Sequence, residues 1–594
     1  MNKRTLSVAA VIIILTSMLR YSIEIEPVKA TNTIYIRANG SVDHPSAPVS
    51  SVDNVTYILT GNITCDAAGI VVERDHIIIN GDGYTLTGPR TSDSEGIDLS
   101  FRCNVTVCNM TIREFGSGIL LAKGWPSGEN IVSNNTIVNN IRYGILVESH
   151  SVHNILANNS LIANGYGILS ERDNVVLKNV AVNNSVGINV GWNCVVSDNM
   201  VRESDEGITV QMDGNIIESN FVSNSFVGIC LRGQSSNNTI QRNILSINTQ
   251  GIHVGASCSP DPCPCVYNRI LGNNITNSNG CGICIQDSNY IEISQNWVCD
   301  NEDGIVLIGT NDSVVENNIA CTNAETGSYL SGVGVELYLS TSNTISSNVF
   351  AMNSNAGILV YKSDSNLIER NHVFLNNFTG IFVLEANYNT ISDNDIRDNF
   401  PHFSLGARGG IFFSSSNNNT VRCNEISHND FGIYLYNSNG NRVFHNNFID
   451  NLQQVHVEGL NTWDDGYPSG GNYWSDYSGS DFFNGPYQNL TGSDGIIDTP
   501  YVIDGNNQDN YPFMTLTPTP LIPWDITGPV MWFPDGKCDI RDVAIVALRF
   551  GSNFGEDMYD VRADITGPTY LVPDGKIDIR DIALVAIHFG EEYS

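Results

Sequence analysis

A glycine followed by an aliphatic residue returns sixteen times along the chain, at intervals of 20 to 31 residues, from Gly69 to Gly432. The next residue is Ile in every unit but one, where it is Val335. With the glycine as position zero, +1 is always apolar and +3 is apolar in all units except at Ser170. Position +2 is unrestricted, as Asp98, Asn189, His253, Glu336 and Tyr434 show. Apolar, free, apolar is the alternation of a strand with one buried face. Asn recurs at +14 (Asn296, Asn318, Asn348, Asn371, Asn394, Asn424, Asn446) and at +9 (Asn343, Asn366, Asn389, Asn419, Asn441). Short apolar stretches at +11 and +16 lie between these turns. Three strands and Asn turns in about 22 residues suit one coil of a parallel β-helix with strands stacked at about 4.8 Å. Asn tolerates the left-handed turn conformation, and its amide can bond the Asn one coil away. The pattern predicts an all-β right-handed parallel β-helix of about sixteen coils over residues 31–460, closed by an aromatic, Asp- and Gly-rich end segment over 461–514.

The repeat resembles the parallel β-helix superfamily, and more narrowly the NosD-type and the carbohydrate-binding and sugar-hydrolase β-helix domains of archaeal surface proteins. The first coils are matched by Thr33-Ile-Tyr-Ile-Arg and Ile77-Ile-Ile-Asn-Gly-Asp-Gly. The end segment is matched by Asn472-Tyr-Trp-Ser-Asp-Tyr and Asp494-Gly-Ile-Ile-Asp-Thr-Pro-Tyr. The resemblance implies the fold over residues 33–515. It leaves function open, because this scaffold carries enzymes, adhesins and binding proteins.

Lys3-Arg4, an apolar run from Leu6 to Leu19 and Val28-Lys29-Ala30 read as a secretory signal peptide over residues 1–30. The run is short for a membrane span, and no second one follows, so the mature chain is expected to be secreted, extracellular or at the cell surface. The formal net charge of −34 disfavours nucleic acid and anionic membranes as partners. Sequons such as Asn54-Val-Thr and Asn377-Phe-Thr fit a glycoprotein. Fourteen cysteines in an exported chain point to disulfides. Cys299 and Cys321 share position +17 in consecutive coils, so stacking brings them within bridging range. Cys258, Cys263 and Cys265 crowd a Pro-rich insertion. Cys230, His253 and Cys284 occupy the outward +2 column of three consecutive coils. Their soft donors suit copper or zinc. The alternative is an exposed column with one disulfide or none. No Met-rich or His-rich tract supports copper handling, so that activity is not carried over from the NosD resemblance.

After a Pro/Thr linker (515–523), residues 524–594 carry two copies of one unit, 39 residues apart. Each begins Asp-Ile-Thr-Gly-Pro and ends in Asp-Gly-Lys-x-Asp-Ile-Arg-Asp followed by an amphipathic stretch. With a six-residue insertion removed, the oxygens fall at the ligand positions of a calcium loop. The first set is Asp525, Thr527, Asp535, the Lys537 carbonyl, Asp539 and Asp542; the second is Asp564, Thr566, Asp574, the Lys576 carbonyl, Asp578 and Asp581. The pair resembles a dockerin, which implies an all-α module holding two Ca²⁺ ions and plugging into a cohesin-like partner or cell-surface component. The residues matching the partner-recognition positions are Ile540, Arg541, Ile579 and Arg580, in place of small hydroxyl residues. The insertion leaves Thr527 and Thr566 as the less secure ligands.

No Arg-x-Lys and no His-Gly pair marks the coils as a polygalacturonase-type site, and no catalytic residue is assigned. The outward residues Phe382, Phe412 and Tyr434, with Tyr361 and Tyr436 two residues further along, form a column able to stack on successive sugar rings, unless the end segment folds over them. The expectation is a polysaccharide- or glycan-binding β-helix tethered by a calcium-dependent tail. The alternatives are a polysaccharide lyase or glycoside hydrolase on the same rod, and a structural surface-layer or adhesin protein.

Overall fold

A computed structural model describes residues 28–30, 33–43, 46–122, 127–255, 264–324, 330–400, 409–517 and single positions between 543 and 585. The signal sequence up to residue 27, the cysteines 258 and 263 and the linker beyond residue 517 lie outside the described residues. Two compact units, 1–185 and 186–594, are each a stack of β-coils. Together they make a right-handed parallel β-helix of about 17 turns.

Every coil supplies one strand to each of three parallel sheets, here numbered I to III in coil order. Sheet I holds the Gly-Ile strands, such as Tyr143–Val147 in the first unit and Gln250–Val254 in the second. Sheet II holds strands such as Arg269–Leu271, and sheet III strands such as Trp297–Cys299. Like positions lie over one another: Ile119 pairs Ile145 and Ile145 pairs Ile168, and in the second unit Ile229 pairs Ile252 and Ile252 pairs Ile283. All six isoleucines are fully buried. Burial of each such side chain contributes about 1.5–3 kcal/mol, and the column is the main source of stability. Sixteen Gly-Ile units undercount the stack. Sheet I begins with Ile34–Ile36 and ends with Gln453–Val457, which lack the dipeptide because only one neighbour packs against them.

The corners are held by Asn side chains. At +14 each amide nitrogen donates to the Oδ1 of the Asn one coil on, as from Asn348 to Asn371 and Asn371 to Asn394, both 3.0 Å. The +9 column does the same, as from Asn343 to Asn366 at 3.1 Å. A third ladder, not anticipated above, turns the corner back to sheet I through Asn323, Asn353, Asn376, Asn399 and Asn429. It sits at +19 in the same coils and was legible there. One physical assignment needs correction. The left-handed conformation falls on the residue before the ladder Asn, at Arg370, Asp393, Cys423 and His445. The ladder Asn is selected for its side chain rather than for its backbone.

The end segment completes the last coil. Tyr473–Trp474 pairs with Asn447–Phe448, and Trp474 stacks on Phe448 with ring centroids 4.4 Å apart. Trp463 and Trp474 are both 1% exposed. The segment therefore extends the interior column and does not fold over the outward aromatics. Asp464 accepts from the backbone of Gly466 and Asn510, and Asp465 pairs with Arg442 at 2.6 Å, so both shape turns.

Cys299 and Cys321 form a disulfide with Cα atoms 4.6 Å apart on the outer face of sheet III. Around it Ile319, Ala351 and Phe374 make an apolar patch. Val546, Ile577 and Val585 of the C-terminal region pack on this patch and are fully buried. Helical backbone is described only at single positions there, and no continuous all-α module is described.

Candidate functional site

The outer face of sheet I collects the unrestricted +2 residues. In the first unit Leu120, Leu146 and Leu169 stand one above the other, each half-exposed. They floor an open groove of about 520 Å³. Glu95, Glu148 and Glu171 line it together with Arg142 and Tyr143. The Arg142 guanidinium lies 5.2 Å from the Tyr143 ring centroid, and Tyr143 packs on Tyr166 at 5.5 Å. Burial and the neighbouring Asp98 raise the Glu95 carboxyl above its usual range. The sequence named Glu148 and Asp98 only as scattered acids. Their approach depends on coil register and on the turn carrying Ser92 and Asp93, which adjacent coils do not repeat.

In the second unit the same column passes through Cys230, His253, Cys284, Val306 and Glu336 in register. This part is not an exposed column: Cys230 is 2% and Cys284 6% exposed. Cys281 joins it, 9% exposed, and the thiol of Cys281 and the imidazole of His253 both hydrogen-bond the Cys284 sulfur. The Cys281 hydrogen bond, helped by His253, holds the Cys284 thiol well below its usual range against the opposing effect of burial. The shared proton and burial push Cys281 up. Burial works against the charged form of His253, but the Cys284 sulfur holds its pKa above the usual value. The Nδ1 of His253 is buried without a hydrogen bond of normal geometry. Burial raises Asp303 to about 6 and Glu336 to about 7. Asp303 accepts from the backbone of Gly332 at 2.7 Å.

The aromatic column lies further along. Phe382 and Phe412 stack at 4.7 Å but are 8% and 3% exposed, enclosed with Leu330, Val333 and Phe378. They form part of a packed cluster and offer no open face to a sugar. Tyr361 and Tyr434 are half-buried, and Tyr436 is exposed. On sheet III, Asp395 lies between Arg397 at 3.0 Å and His372 at 3.2 Å, all three buried or nearly so. Burial acts to raise Asp395; the two cations overcome it and hold it below its usual range.

Of the calcium ligands, Asp525, Thr527, Asp535, Lys537, Asp539, Asp542, Asp564, Thr566, Asp574, Asp578 and Asp581 lie outside the described residues, as do Ile540, Arg541 and Ile579. Lys576 is exposed and Arg580 half-buried.

Stacked coils, three parallel sheets and Asn corners define a right-handed parallel β-helix protein. The chain belongs to the family described as periplasmic copper-binding protein (NosD), whose model matches residues 32–191 and 333–479, together more than half of the chain. A model of the right-handed beta helix region matches 206–334 and 243–396. Among solved structures, the A-module of the mannuronan C-5 epimerase AlgE4 from Azotobacter vinelandii is similar at 16% identity. That match covers 61% of this chain and 91% of the other, with a TM-score of 0.33. The Dettilon tailspike protein is 16% identical over 58% of this chain and 62% of its own, TM-score 0.32. The PL6 family alginate lyase AlyGC is 10% identical over 73% and 96%, TM-score 0.25. No curated protein matches. Among the described residues no helix is long and apolar enough to cross a membrane.

Proposed function

We propose that this is an exported β-helix protein that binds a neutral or amino-sugar polysaccharide, or a cell-surface glycan of that kind, in the first-unit groove. The groove is the observation that carries the reading. Its leucines repeat once per coil, about 4.8 Å apart, which is comparable to a pyranose unit and offers flat apolar contact to ring faces. The carboxylates on its rim accept hydrogen bonds from sugar hydroxyls or ammonium groups and repel anionic polymers. On immobilised polymers, the full chain should be retained by neutral or amino polysaccharides and not by polyuronates. Tyr143→Ala should weaken retention about tenfold, the loss of roughly 1.4 kcal/mol of ring contact. No retention on any neutral or amino polymer would sink the reading. The raised carboxyl of Glu95 favours a second reading, a polysaccharide-modifying enzyme with Glu95 as proton donor. Release of oligosaccharides that Glu95→Gln abolishes would establish it.

The duplicated loops support a tail that binds two Ca²⁺ ions and tethers the protein through a cohesin-like partner, with Ile540, Arg541, Ile579 and Arg580 at the contact. Chelation by EDTA should remove helical far-ultraviolet signal from the full chain, and Asp539→Ala with Asp578→Ala should do the same in excess calcium. Unchanged helical signal under both conditions would rule the loops out. The family's description names copper; this chain's soft donors are those of the Cys–His column.

A further inference from the structure

A Cys-x-x-C spacing in a regular strand puts its two thiols on opposite faces, because side chains alternate. Cys281 and Cys284 break that rule. Ile283 points inward and is fully buried. Gly282 also faces inward: a Cβ there would meet Val298 Cγ1 at 2.3 Å. Two consecutive inward positions bulge the strand, so Cys281 and Cys284 emerge together on the outer face. They cluster there with Val306 and Ile308. Neither carries a disulfide.

His253 lies opposite Cys284 on the next strand, and Cys230 opposite His253. Adjacent strands are about 4.8 Å apart, so the imidazole reaches the thiol pair by side-chain rotation alone. Its Nδ1 is a buried acceptor without a normal hydrogen bond, a cost that a ligand would remove. The nearby carboxylates do not complete a hard-ion site. Asp303 is taken up by backbone donors, and Glu336 stands two strands away from Cys284. Among the described residues no three metal-capable side chains already meet at one point, so the set closes only around an ion. Arg232, the neighbouring cation, is paired with Glu206.

We propose that Cys281, Cys284 and His253 form a binding site for a soft, thiophilic d¹⁰ metal ion, Cu(I) in the first instance, with Cys230 next to His253 as a further donor. Two sulfurs and one imidazole in an apolar wall select soft ions over calcium or magnesium. Binding releases the proton shared between the two thiols, since the ligating forms are thiolates. The site is independent of the glycan groove, and either can fail without the other.

The test uses the full chain, reduced and oxygen-free, titrated with Cu(I) against a chromogenic Cu(I) chelator. Co²⁺ serves as a second probe, whose sulfur-to-metal charge-transfer absorption reports thiolate ligation. One equivalent should bind. Cys281→Ser and Cys284→Ser should each weaken binding by at least about 100-fold and abolish the charge-transfer band, since even outer-shell partners are worth 10–100-fold. His253→Gln should weaken it by about tenfold or more. Cys108→Ser, a half-buried thiol on sheet II, should change nothing. Thermal melts of each variant verify folding, and His253→Gln keeps the test open should a Cys variant fail to fold. Cu(I) affinity unchanged in Cys284→Ser or His253→Gln would overturn the site, as would a Cys281–Cys284 disulfide in the native protein that excludes both ions.

Discussion

Replacing Asn371 by Ala is expected to destabilise the second unit by about 3–6 kcal/mol. The residue is 0% exposed and makes four side-chain hydrogen bonds. Its Oδ1 accepts from the backbone N–H and the amide of Asn348, both at 3.0 Å. Its Nδ2 donates to Asn394 Oδ1 at 3.0 Å and to the carbonyl of Ile345 at 2.8 Å. Alanine leaves the Asn348 backbone N–H and the Ile345 carbonyl buried and short of a partner, with no room made for water. Each stranded group costs about 1–3 kcal/mol, and the amide of Asn348 loses a bond as well. Aspartate is no rescue, because a carboxylate would face the Ile345 carbonyl where an N–H donor stood. Stacked repeats open locally, so the readout is hydrogen exchange across residues 344–400 together with the denaturant midpoint. Asn274→Ala, at an exposed strand position, should stay within about 0.5 kcal/mol of the parent. Equal effects from the two substitutions would remove the ladder from the account of stability.

Gly304→Ala is expected to cost about 3 kcal/mol through overpacking that cannot relax. Its added Cβ would stand 2.3 Å from the carbonyl oxygen of Gly334, and 3.0 Å from both Ala320 Cβ and Asn323 Nδ2. The close contact is backbone belonging to the next coil, so relief means widening the strand spacing and straining the hydrogen bond from Gly304 N to Val333 O. The same encounter recurs at Gly207, Gly228, Gly380 and Gly432, where the next coil's carbonyl oxygen lies 2.4–2.7 Å from the added carbon. This explains why the repeat insists on glycine at position zero and tolerates anything at +2. Gly505→Ala, with nothing within 4 Å, is the control and should leave the melting temperature unchanged. A Gly304→Ala chain that melts with the parent would mean the coils are looser than their register implies.

Much of the architecture was readable before any coordinate. The inward pair at +1 and +3, two of the three Asn ladders and the approach of Cys299 to Cys321 all follow from a period of 20 to 31 residues. Each depends on contact with the coil directly above or below, so the repeat spells it out sixteen times. The third ladder was present in the letters and overlooked. The terminal strands Ile34–Ile36 and Gln453–Val457 were missed because a chain end meets one neighbour and need not keep the motif.

The outer surface obeys no such period. The sequence placed Phe382 and Phe412 on an open sugar-binding column; the tertiary structure encloses them with Leu330, Val333 and Phe378, which come from turns outside the repeat. It placed Cys281 on the face opposite Cys284; the two inward residues between them put both thiols on one side. It left Glu95, Glu148 and the three leucines scattered; coil register gathers them in one groove. The sequence by itself determined the stacked interior, because burial and hydrogen bonding there are settled between neighbours one coil apart. Only the tertiary structure decided which outward residues meet, because inserted turns and strand bulges break the alternation locally and carry side chains across distances no repeat encodes.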